Sequence, residues 1–193
     1  MLGRQAKVLN PAQQKALFIF ISTTRMPERN RVIALLSLKA GLRAKEIAGM
    51  TWSMVTASDG RVADTIYLTD NAAKGKSGGS IPMAKELRAA LCEWQDKSGH
   101  IGGRDRVIVT QRLPATSSQV IINLFADWYR RLGFEGCSSH SGRRTFITSA
   151  ARNIGRFGGS LRDVQALARH SSLAMTQLYI EQNSDAARKV VDA

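Results

Sequence analysis

The stretch SSHSGRRTFITSAARN, residues 138–153, sets His140 three and four residues ahead of Arg143 and Arg144. Guanidinium forks hold phosphate oxygens bidentately, and an imidazole beside them can move a proton. Three further stretches carry complementary groups. AGLRAKEIAGMTW (40–52) places Arg43 just past a glycine suited to end a helix. AAKGKSGGSIPM (72–83) puts Lys74 at a hairpin tip, where a long side chain can swing toward a substrate. LARHSSLAMTQLYIEQ (167–182) supplies His170 and, nine residues on, Tyr179. These are the parts for attack on a phosphodiester by side chains alone: a hydroxyl nucleophile, a proton donor for the departing oxygen, and fixed cations for the non-bridging oxygens.

The rest of the composition narrows the alternatives. Lys and Arg number 28 against 15 Asp and Glu, a net charge of +13 over 193 residues. That excess points to a polyanionic partner, nucleic acid first. Aromatic content is only 6%, which disfavours recognition of single strands by stacked bases. The acids are scattered with no DxD or HxH pair, so the pattern of a metal-dependent nuclease is missing. Three widely spaced histidines and two lone cysteines, Cys92 and Cys137, do not resemble a zinc site. KGKSGG is too short for a triphosphate-binding loop and sits in a hairpin rather than before a helix. Neither a membrane span nor the apolar centre of a signal peptide is seen, and the expected location is the cytoplasm with free thiols.

Helices and a small sheet must position these residues. Asn10, Pro11 and Gln13 form a helix start, with Leu17, Phe20, Ile21 and Thr24 on one face. RNRVIALLSLKAGLR reads as a mostly buried helix stopped at Gly41, followed by a short helical turn in RAKEIAGMTW. ADTIYLTD and GSIPMA read as two strands joined by the Lys- and Gly-rich turn, with RVIVT (106–110) a possible third. AKELRAALCEWQDK is a helix with Leu87, Leu91 and Trp94 inward. SSQVIINLFADWYRRLGF is another, its expected apolar face Val120, Leu124 and Trp128. Ser160 and Asp163 open the final helical stretch. Trp52, Trp94 and Trp128 read as core. The expectation is one mainly α domain with a small antiparallel β-sheet (α+β), without internal repeats or an interdomain linker.

The four chemistry-bearing stretches resemble the four signatures of the tyrosine recombinase (phage integrase) family, roughly TGLRxSEL, a hairpin KGxKxRxVP, HxLRRTFAT and LGHSSxxTTQxYxH. The resemblance runs from about residue 9 to residue 182, in order, and implies that family's catalytic-domain fold, with residues 183–193 a tail. Tyr179 alone would be an ordinary packed tyrosine; the four signatures in register are what make it a candidate nucleophile.

Carried over residue by residue, the resemblance implies that Tyr179 attacks the scissile phosphate and leaves a 3′-phosphotyrosine. Arg43 and Arg143 clamp the phosphate oxygens, Lys74 protonates the leaving 5′-oxygen, His140 takes part in proton transfer, and His170 hydrogen-bonds the phosphate. Glu46 orients Arg43; Lys76, Arg144 and Arg169 contact DNA. Neither metal, ATP nor another cofactor is implied. The partner is double-stranded DNA, engaged by four protomers, with a monomer in solution compatible. No membrane is involved, and the setting is bacterial or phage-derived cytoplasm at the nucleoid. The outcome would be integration, excision or inversion of DNA. A type IB topoisomerase-like relaxing enzyme and a non-catalytic DNA-binding relative remain alternatives; the spacing in LARHSSLAMTQLY favours the recombinase.

Three departures from the family stand out. Arg169 takes the place of the glycine before His170, altering that turn or adding a phosphate contact. Gly142 takes the place of a leucine. KSGGS carries only Lys76 beyond Lys74, so the catalytic lysine is Lys74 on the KG pattern, with Lys76 the alternative. No N-terminal core-binding domain is seen, as in the small fimbrial-type invertases or in a catalytic fragment, and fewer phosphate contacts imply weak, salt-dependent DNA binding.

Overall fold

The computed structural model describes residues 5–70, 78–99, 103–110 and 113–179. Its elements are α1 (Pro11–Ser22), α2 (Pro27–Ala40), α3 (Ala44–Gly49), β1 (Thr65–Leu68), β2 (Gly79–Pro82), α4 (Lys85–Ser98), α5 (Ser118–Arg131), α6 (Ser141–Asn153), α7 (Leu161–Ala168) and α8 (Leu173–Gln177). Among the described residues the fold is mainly helical with one two-stranded antiparallel sheet. By contact density the chain falls into two compact units, Met1–Phe146 and Ile147–Ala193, the division lying within α6.

Local signals set the helix ends of the first unit. Asn10 accepts from the Gln13 N–H at 2.8 Å while Gln13 accepts from the Asn10 N–H at 3.0 Å, closing a capping box around Pro11. Leu17 and Ile21 are the buried positions of α1; Phe20 is half-buried and Thr24 lies past the helix end. Helix α2 is buried from Val32 to Leu38, packing on α1 and α4, and Gly41 ends it in the left-handed conformation at φ 63°. Only a residue without a Cβ fits there easily, because a Cβ would also lie 2.6 Å from the Phe146 ring. The sheet pairs Ile66 with Ile81, both fully buried. Leu87, Leu91 and Trp94 of α4 face the core as expected, as do Trp52 and Trp128.

Two expectations fail for physical reasons. Residues 106–110 form no strand: Arg106 makes a single bridge to Thr51, and the Val107 N–H donates to the Met50 carbonyl at 3.0 Å. The Val107 carbonyl instead accepts the Trp94 indole N–H at 2.7 Å, so this apolar run is buried beneath α4 without a ladder. In α5 the buried positions are Ile121, Phe125, Trp128 and Tyr129, whereas Val120 is 38% exposed and Leu124 half-buried. Packing of α5 on α3 and α1 sets the rotation and buries the rings, with Phe125 edge-on to Trp128 at 5.3 Å and stacked on Tyr129 at 5.8 Å.

In the second unit, Ser160 and Asp163 form the expected capping box at the start of α7, whose buried side chains are Val164 and Ala168. Among the described residues no helix is long and apolar enough to cross a membrane.

Candidate active site

In the first unit Arg43, Glu46 and Arg143 converge on the junction between α2 and α3. Arg43 caps α3 in an extended conformation, and its N–H donates to Glu46 Oε2 at 2.7 Å. Its guanidinium Nη1 donates to Glu46 Oε1 at 3.1 Å. The Glu46 side chain is fully buried, so the carboxylate is held by a charged donor and a backbone donor together. This pairing fixes the direction of Arg43.

Arg143 is 3% exposed and donates through Nη1 to the Gly41 carbonyl at 2.6 Å. That carbonyl belongs to the residue ending α2, two positions before Arg43, so one turn of backbone organises both arginines. Arg143 reaches it because the start of α6 is stitched down: the Leu9 N–H donates to Thr145 Oγ1 at 2.9 Å, and Thr145 donates to the Ser141 carbonyl at 2.7 Å. Gly142 lets this turn approach α2 closely, since a Cβ there would lie 2.2 Å from Ser37 Oγ.

His140 precedes α6 and is exposed; its carbonyl accepts the Arg144 N–H at 2.9 Å, the first bond of the helix. Adjacent in sequence, Arg143 and Arg144 have different environments. Arg144 is half-buried and donates to the Gln5 side chain.

The second unit holds Arg169, His170 and Tyr179. Helix α7 closes with the Arg169 N–H donating to Ala166 O at 3.0 Å and the His170 N–H to Gln165 O at 3.1 Å. This closure requires a left-handed residue between helix and histidine, and Arg169 adopts it at φ 52°, the one non-glycine with positive φ among the described residues. The departure from glycine therefore retains the turn. Gln165 Nε2 also donates to the His170 carbonyl at 3.1 Å, fixing His170 from both sides of its backbone.

His170 is 6% exposed, and its ring stacks on that of Tyr179 with centroids 5.3 Å apart and planes inclined by 29°. Tyr179 is half-buried just beyond α8; its N–H donates to Thr176 O at 3.0 Å and its carbonyl accepts from Thr148 Oγ1 at 3.3 Å. Thr176 Oγ1 lies 2.9 Å from His170 Nδ1. Sequence reasoning missed Thr148, Gln165 and Thr176. Only Thr176 had a signal, a hydroxyl within the motif three residues before the tyrosine. Lys74 and Lys76 lie outside the described residues, as does the tail at 183–193. No group of three His, Cys, Asp or Glu side chains suited to hold a metal occurs among the described residues.

The phage integrase family model matches residues 7–185. The chain belongs to the phage integrase family. Among relatives of this integrase-family chain, tyrosine recombinase XerC of Xylella fastidiosa strain 9a5c is 28% identical over 187 residues, covering 94% of the chain and 58% of the relative. XerC of Xanthomonas campestris pv. campestris strain B100 is 30% identical over 171 residues, covering 86% and 48%. XerA of Thermococcus kodakarensis is 28% identical, covering 95% and 61%. The chain thus spans about half to three fifths of the length of these curated relatives.

The fold matches that of the XerA recombinase crystal structure with a TM-score of 0.72 at 22% identity, covering 98% of this chain and 64% of that one. It matches the Tn1549 transposon integrase, solved in complex with a circular intermediate DNA, with a TM-score of 0.75 at 19% identity, covering 97% and 66%. The integrase-family fold expected from the four signatures is the one observed.

Proposed function

We propose that residues 1–193 form the catalytic domain of a site-specific recombinase that cuts and rejoins double-stranded DNA through a 3′-phosphotyrosine. Membership of the integrase family and the tyrosine recombinase relatives support this reading. The structural observation that carries it is the stacking of Tyr179 on the buried His170, a phenol set beside an imidazole able to hydrogen-bond a phosphate.

Tyr179 Oη attacks phosphorus as the bond to the 5′-oxygen breaks. His140 accepts the tyrosine proton, and Lys74 gives a proton to the departing oxygen. Arg43, directed by Glu46, and Arg143, directed by the Gly41 carbonyl, neutralise the charge growing on the non-bridging oxygens. His170 adds a hydrogen bond to the same phosphate. Attack by a free 5′-hydroxyl on the phosphotyrosine reverses the step and seals a strand, so the bond energy is conserved without nucleotide hydrolysis. Lys76, Arg144 and Arg169 bind flanking phosphates, in keeping with the charge of +13. Four such protomers act on two duplexes, in the cytoplasm, on bacterial or phage-borne DNA. Several solved relatives of the fold were captured on DNA, among them the Tn1549 integrase and XerH on its difH substrate.

The test is a nicked duplex spanning the native site, incubated in EDTA and denatured with SDS. A covalent protein–DNA adduct is expected from the wild-type chain and none from Tyr179→Phe, which should still bind. An adduct formed by Tyr179→Phe would remove Tyr179 from its assigned role. Exchange between two sites, as opposed to relaxation of one plasmid, separates recombination from topoisomerase action.

A further inference from the structure

The hydroxyl of Thr176 is a small group in a confined position. The residue is fully buried, and its Oγ1 has one hydrogen-bond partner among the described residues, His170 Nδ1 at 2.9 Å. A buried hydroxyl proton needs an acceptor. The acceptor within reach is Nδ1, so the bond that satisfies the threonine is Oγ1–H to Nδ1, and Nδ1 carries no proton. A neutral imidazole then has its proton on Nε2. Protonating Nδ1 as well would turn it into a donor and leave the threonine hydroxyl proton without an acceptor.

We propose that Thr176 is a positioning residue that holds His170 as the neutral Nε2–H tautomer, so that His170 meets the phosphate as a hydrogen-bond donor and not as a proton acceptor. The inference rests on the recombinase reading above for its catalytic consequence, though not for the tautomer itself. It divides labour between the two histidines. The rings of His170 and Tyr179 meet at an inclination of 29°, an approach of faces, whereas the lone pair of an imidazole nitrogen lies in the ring plane. With Nδ1 already engaged by Thr176 and Nε2 bearing hydrogen, His170 has no lone pair for the phenol proton. Acceptance of that proton is left to His140. The surrounding bonds keep the register: Gln165 holds the His170 backbone, and the Tyr179 N–H returns to the carbonyl of Thr176 itself. One threonine therefore sets the ring state of the histidine with its side chain and anchors the nucleophile with its main chain.

The experiment is nitrogen-15 NMR of histidine-labelled full-length chain near neutral pH, with His170 assigned by comparison with His100→Gln and His140→Gln. Wild type should show Nδ1 as the unprotonated nitrogen and Nε2 as the protonated one. Thr176→Val should lose this single tautomer, while Thr176→Ser, which restores a hydroxyl, should keep it. In the adduct assay Thr176→Val should cleave about tenfold more slowly at unchanged DNA affinity, the scale of losing an orienting partner, with Thr176→Ser near wild type. An imidazolium or an Nδ1–H tautomer in wild type would overturn the proposal, as would an unchanged tautomer in Thr176→Val. If Thr176→Val does not fold, the wild-type and Thr176→Ser spectra still decide. If wild type forms no adduct, the recombinase reading fails while the tautomer is still read directly.

Discussion

The Ser37 hydroxyl oxygen occupies the space where residue 142 would carry a side chain: a Cβ on Gly142 would lie 2.2 Å from Ser37 Oγ and 2.8 Å from Ser37 Cβ. Helix α2 and the first turn of α6 meet there without an intervening side chain. Gly142→Ala should be destabilising, because overpacking costs about 1–3 kcal/mol against a helix-propensity gain of about 1 kcal/mol at most. At this chain length the melting temperature should fall by roughly 2–4 °C per kcal/mol. Ser37 Oγ is buried without a hydrogen bond among the described residues, so Ser37→Ala should be neutral or mildly stabilising. The double variant should recover part of the loss. Strictly additive melting shifts would contradict the packing account.

Neighbouring arginines should separate by function. Arg143→Lys keeps the charge but loses the planar fork aimed from the Gly41 carbonyl. It should reduce adduct formation by about 10²-fold with little change in DNA affinity. Arg144→Ala should weaken binding and lower the slope of log affinity against log salt by about 1, with cleavage of saturated substrate near normal. Equal losses of binding and cleavage in the two variants would dissolve the distinction.

Position 169 should reverse the usual preference of helical chains for alanine over glycine. Arg169 sits at φ 52° and ψ 46°, where any side chain costs about 1 kcal/mol relative to glycine. Arg169→Gly should therefore melt above Arg169→Ala by roughly 2–4 °C. Comparing those two variants removes the contribution of the arginine side chain itself. An alanine variant at least as stable as the glycine one would refute the left-handed turn before His170.

Acid should loosen the start of α7. The Ser160 N–H and hydroxyl donate to Asp163 Oδ2 at 2.7 and 2.9 Å. The backbone bond first, then the hydroxyl bond, hold the Asp163 carboxyl below its ordinary value. Ionised Asp163 thus supports the folded helix. That support is complete above the unfolded value near about 4 and is lost as pH falls through the lower folded value. Carboxyl NMR should place the Asp163 midpoint below the ordinary aspartate value, with Ser160→Ala moving it part of the way back. A midpoint at or above the ordinary value would rule out the capping interaction.

Features written in neighbouring residues were legible from sequence. The Asn10–Gln13 and Ser160–Asp163 boxes each close within four positions, and Gly41 ends α2 through its own backbone freedom. Features set by distant partners were not. Both Val120–Leu124 and Ile121–Phe125 are apolar pairs at helical spacing, and only the packing of α5 on α3 and α1 chooses between them. RVIVT has the composition of a strand, yet its carbonyl at Val107 is taken by an indole from α4. In the candidate site, the charged and aromatic residues announced themselves by motif, whereas Thr176 is uncharged and its meaning lies in one contact with His170. Gly142 was visible as a departure, but its purpose required knowing that Ser37 lies opposite.

The anchor of Arg143 has a genetic consequence. Its acceptor is the Gly41 carbonyl, an atom that all twenty amino acids possess, so no codon change can delete it. A scan that truncates side chains one at a time would leave this acceptor in place in every variant. Position 41 would still register as intolerant, through its left-handed backbone and the Phe146 ring beside it. The two positions would then look unrelated in such a map, although one holds the other in place.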